Sequence, residues 1–138
     1  MASPQLAAGY RHLLDFTRED LIAIHDGVAS LGRTWDIGVR DSGTIDYIVE
    51  RIRSAARAHL PPVKIAAEAM VLMVREHPFS DGNHRTGFQV ADSILRAFGR
   101  RILAKADDAE NSVRSIDARG AQVPEIRRWI ARHTRMLR

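Results

Sequence analysis

The chain has 138 residues, 45% of them hydrophobic and 28% charged, with no cysteine and a net charge of +4. That length suits one domain able to bury roughly two-thirds of its unfolded surface. The composition excludes a disordered chain, and the missing cysteines exclude disulfides, thiolate metal sites and cysteine nucleophiles. No run approaches the ~18 apolar residues of a membrane span, and residues 1–10 lack the basic start and apolar core of a signal peptide. A soluble, cytoplasmic protein with no membrane partner is therefore expected.

In chain order, residues 1–15 show no convincing period and read as an N-terminal arm, leaving 16–138 as the domain. Thr17 with Asp20 forms a capping-box variant, and Leu21, Ile24, His25 and Val28 follow at helical spacing. Residues 33–41 break the period and read as a loop or short extended flap. Ser42 is the expected cap of a second helix striped by Ile45, Ile48, Val49, Ile52 and Ala56, which Pro61-Pro62 ends. A third helix over 62–76 is apolar nearly all round, as a central, covered helix is.

A fourth helix runs to about Phe98, with Phe88, Ala91, Ile94, Leu95 and Phe98 on one face and Gly99 as its stop. A fifth is expected over 107–119. Pro124 opens a sixth, with Ile126, Trp129, Ile130, His133 and Leu137 inward and arginines outward. No long alternating segment suggests a sheet. The expected class is all-α, a compact bundle of about six helices with a short flap.

One segment stands apart: His77-Pro78-Phe79-Ser80-Asp81-Gly82-Asn83-His84-Arg85-Thr86-Gly87. It leaves a buried helix and enters the start of another, where unpaired backbone N–H groups attract anions. Gly82 permits a tight turn, and Asp81 offers oxygen to a hard cation such as Mg²⁺. Arg85 can grip phosphate oxygens, and His77 is the loop's general-base candidate because imidazole titrates near neutrality. Phe79 has no polar role and should anchor the loop in the core. Singly, these residues fit a cap, a turn and a solvated cation. Together they describe phosphoryl or nucleotidyl transfer to a hydroxyl.

His77 to Arg85 resembles the signature H-x-F-x-(D/E)-G-N-G-R-x-x-R of the Fic (filamentation induced by cyclic AMP) proteins. It is more similar still to the Doc (death on curing) branch, H-x-F-x-D-x-N-K-R-T. Glu19 to Asp26, the flap before Ser42 and the Ile126 to His133 helix also look Doc-like. The resemblance implies that His77 is the catalytic base and that Asp81 ligates Mg²⁺ on ATP. It further implies that Gly82, Asn83, His84 and Arg85 form the nucleotide-phosphate site. Asp36, Ile37, Gly38, Val39 and Arg40 correspond to the flap that docks the target by strand-like pairing.

Two positions depart from the longer signature. His84 stands at its second glycine, where Doc has lysine, and Phe88 stands at its final arginine, which Doc also lacks. The resemblance implies that glycine here goes with a presented α-phosphate, and a side chain, as in Doc, with an inverted nucleotide that presents its γ-phosphate. The expectation is therefore a Doc-like toxin moving the γ-phosphate of Mg-ATP to a Ser/Thr hydroxyl. Adenylylation of Ser, Thr or Tyr (AMPylation) is the alternative.

The implied substrate is a hydroxyl-bearing protein, with a translation factor as the kind of target the resemblance suggests. Fic proteins often inhibit themselves through (S/T)-x-x-x-E-(G/N). None of the six glutamates here has Ser or Thr four residues earlier, so a separate antitoxin covering the site is expected.

The remaining features carry less. Among the six histidines, 12, 25, 59, 77, 84 and 133, only His77 and His84 are close, at no standard zinc spacing. His25 and His133 read as satisfied core residues, and Asp107, Asp108 and Glu110 as favourable charges at a helix start. From Arg96 onward there are 11 basic and 5 acidic residues, which suits a solvated face or an anionic partner. A DNA-binding helical module is the distant alternative. Arg127, Arg128, Arg132 and Arg135 lack the Asn, Gln and Ser of a recognition helix, so nucleic acid is not the expected partner.

Overall fold

The helix with the least polar surface lies at the centre of the fold. In the computed structural model, which describes residues 3–29 and 38–137, α4 (Pro62–Glu76) buries Ile65, Ala66, Ala67, Ala69, Met70, Val71, Met73 and Val74. Pro61 and Pro62 set its start, since a proline at the first helical position forfeits only an N–H that has no partner there. Around it pack α3 (Ser42–Arg57), α5 (Asn83–Ala97), α6 (Ala106–Ala118) and α7 (Val123–His133). Outside these lie α1 (Pro4–Leu14) and α2 (Arg18–Ala29). The all-α class holds, with seven helices among the described residues.

Thr17 and Asp20 make the expected reciprocal cap of α2. The Asp20 N–H donates to Thr17 Oγ1 at 3.2 Å and the Thr17 N–H to Asp20 Oδ2 at 2.8 Å. At α3 the cap is Asp41, not Ser42: Asp41 Oδ1 accepts the Thr44 N–H at 3.2 Å. That backbone bond holds the Asp41 carboxyl below its ordinary range.

The reading of an arm over 1–15 is corrected. Pro4–Leu14 is a helix capped by Ser3, and Tyr10 and Leu13 enter the core. The Tyr10 hydroxyl donates to the Leu60 carbonyl at 2.7 Å, and its ring meets Phe98 edge-on at 5.0 Å. A small sheet was also unexpected. β1 (Arg100–Ile102) pairs antiparallel with β2 (Thr134–Met136), Ile102 opposite Thr134. The last helix therefore ends at His133, and Leu137 is exposed, not inward. Among the described residues no helix is long and apolar enough to cross a membrane.

Candidate active site

The loop 77–82 joins α4 to α5 and hangs from one aromatic side chain. Phe79 is buried at 1% exposure, as its lack of a polar role suggested. The His25 ring of α2, itself fully buried, stacks on Phe79 at 3.7 Å and donates from Nε2 to the Asp81 carbonyl at 2.8 Å. Asn83 closes the loop from below. Its Oδ1 accepts the Phe79 N–H at 3.1 Å, and its Nδ2 donates to the Phe79 carbonyl at 2.9 Å. Asn83 thus shapes the loop backbone and is itself turned inward, only 6% exposed.

His77 and Gly82 set the loop's ends. His77 caps α4 in the left-handed region (φ 47°, ψ 60°), which a residue with a Cβ enters at a cost. Its Nδ1 donates to the Arg75 carbonyl, a long contact of 3.3 Å that leaves Nε2 as the basic nitrogen. Gly82, at φ 77°, turns the chain into α5, whose start has no side-chain cap. A helix start of this kind presents its first-turn N–H groups toward an anion.

That helix start opens into a cleft of about 650 Å³. Asp81, Gly82, His84 and Arg85 line it from the loop side, Val28 and Phe88 contribute apolar wall, and α6 adds Glu110 and Arg114. Asp81 is exposed, with Oδ1 accepting the Gly82 N–H at 2.7 Å. Glu110, expected only as a helix-start charge, instead pairs with Arg114 at 2.8 Å. Across the α5–α6 seam His84 Nε2 lies 2.9 Å from Asp117 Oδ2.

Of the flap residues, Asp36 and Ile37 fall outside the described residues. Gly38, Val39 and Arg40 run antiparallel to the loop, with Val39 opposite Phe79. The Arg40 N–H donates to the Pro78 carbonyl at 2.9 Å and the Ser80 N–H to the Gly38 carbonyl at 3.0 Å. Val39 is 42% exposed, and in this pairing its own N–H and C=O point away from the loop. The Arg40 guanidinium is bonded to the carbonyls of Glu76 and His77.

The site missed in sequence is its α6 side. Glu110, Arg114 and Asp117 carried no spacing that tied them to a loop some thirty residues earlier.

The helical bundle sets His77 at the end of α4, while Asp81, Gly82, His84 and Arg85 line the cleft at the start of α5. Residues 15–95 match the model of the Fic/DOC family, and the chain belongs to that family. Its members are generally transferases that move part of a nucleotide onto proteins. The match takes in the loop and most of α5, while α6 follows it. No curated protein matches the chain significantly.

Proposed function

We propose that this chain transfers the γ-phosphate of Mg-ATP to a Ser or Thr hydroxyl of another protein. What carries the reading is one arrangement. A base candidate stands at one end of the loop and, at the other, Asp81, Gly82, His84 and Arg85 line a cleft of about 650 Å³, a size suited to a nucleotide.

The donor set fits the implied groups. Among the described residues no cluster of three or more His, Cys, Asp or Glu side chains stands together. Asp81 would therefore hold Mg²⁺ jointly with phosphate oxygens, as this ion commonly binds, and not in an all-protein cage. Arg85 and the first-turn N–H groups of α5 would hold the phosphates. When bound, Mg-ATP supplies the transferred group and a metal that offsets phosphate charge.

The chain's own work is positioning and proton transfer. His77 Nε2 takes the proton as the acceptor oxygen bonds to phosphorus and the bond to the ADP oxygen breaks. The outward edge of Val39 would pair with an extended target segment, and Val28, Phe88 and Val113 wall the cleft. A separate antitoxin presenting an acidic or amphipathic helix would cover this opening and restrain a toxin.

Transfer of AMP is the second reading, and one contact favours it. With its ring bonded to Asp117 on α6, His84 covers less of the helix start than a freely extended side chain would. Intact-mass spectrometry of target proteins incubated with Mg-ATP separates the two, because phosphate and AMP add very different masses. Phosphate addition supports the proposal, and AMP addition replaces it with the second reading. Expression of the wild type should slow growth, and His77→Ala should relieve it.

A further inference from the structure

Four consecutive carbonyls close the end of α4 and begin the loop, and each has a defined donor. The Arg75 carbonyl accepts from the His77 ring at 3.3 Å. The Glu76 carbonyl accepts from Arg40 Nη2 at 3.0 Å and the His77 carbonyl from Arg40 Nε at 2.7 Å. The Pro78 carbonyl accepts the backbone N–H groups of Arg40 and Asp41 at 2.9 and 3.2 Å. One residue, 37 positions earlier in the chain, thus holds both peptide groups that flank the His77 side chain.

The physical need for such a hold is plain. His77 is one of two non-glycine residues with positive φ among the described residues, so its backbone tends to relax toward ordinary regions. Relaxation would swing the ring away from the direction set by its bond to Arg75. A guanidinium is suited to resist this, since its rigid planar fork reaches two carbonyls at once. Its charge also suits the negative end of α4.

We infer that Arg40 is a positioning residue for His77: it fixes the base through the backbone and does not itself meet the target. This rests on the transferase reading above. It reassigns Arg40 from the docking surface, which keeps Gly38 and Val39, to the internal frame of the site.

The test uses the full chain with Arg40→Ala and Arg40→Lys. Arg40→Ala should lower kcat roughly 10- to 100-fold, the scale of a misplaced catalytic group, with KM for ATP and for the target protein unchanged. Arg40→Lys should recover part of the loss. In a His77→Ala background the same substitution should cost nothing more. An equal loss in that background, or a loss confined to KM for the target, would overturn the inference. An NMR readout of the His77 imidazole, which needs no activity, keeps the two readings apart. Resonances that move in Arg40→Ala support the placement even if the wild type transfers nothing, an outcome that overturns only the transferase reading. Resonances that stay fixed overturn the placement.

Discussion

His84 on α5 and Asp117 on α6 meet across the seam between these helices, with Nε2 2.9 Å from Oδ2. Both side chains are more than a third exposed, so the pair adds little stability, roughly 1 kcal/mol or less. Its consequence is positional: the contact holds the His84 ring, which lines the cleft, to α6. Asp117→Ala frees the ring and should leave the ratio of phosphate to AMP added to target, read by mass spectrometry, as high as in wild type. His84→Gly opens the same space and should lower that ratio. A ratio unmoved by His84→Gly would remove His84 from the choice of reaction.

The proposed metal dependence rests on Asp81. Its carboxylate is the one acidic side chain that the loop offers to the cleft. Asp81→Ala should weaken Mg-nucleotide binding, measured by calorimetry, and nearly stop turnover, because phosphate charge would go without its offset. Chelation by EDTA should do the same to the wild type. Undiminished transfer in EDTA would contradict this assignment.

The docking of α1 has its own test at Gly9. This glycine faces the Phe98 ring so closely that an added methyl group would sit on ring carbon atoms. Gly9→Ala should therefore cost about 1–3 kcal/mol through overpacking, despite the better helix propensity of alanine. Chemical denaturation gives that number directly. A variant more stable than wild type would mean that α1 does not pack against Phe98.

Much of this organisation was readable from residues. The bounds of α4 follow from Pro61-Pro62 and an apolar surface, and the cap of α2 from Thr17 and Asp20. The loop was legible because its chemistry is dense in sequence. What escaped reading is non-local or leaves no periodic mark. In α1 a key contact is made by the missing side chain of Gly9, which no hydrophobic pattern registers. The strands at Arg100–Ile102 and Thr134–Met136 are too short to alternate, and each forms only because the other lies beside it. Asp41 and Ser42 are adjacent residues of the same capping type, so composition alone does not choose between them. Arg40 on His77 and Asp117 on His84 join residues 37 and 33 positions apart.

The central claim is that His77 activates a protein hydroxyl toward a nucleotide phosphate held at the start of α5. Parallel incubations of a target extract with γ-³²P-ATP and α-³²P-ATP, using wild type and folded His77→Ala, test it most directly. The account predicts protein-bound label from the γ position only, reduced ~10²–10⁴-fold in His77→Ala while nucleotide affinity persists. Label from the α position alone would return the reaction to AMP transfer. Equal labelling by wild type and His77→Ala, or none from either nucleotide with folded wild type, would contradict the claim itself.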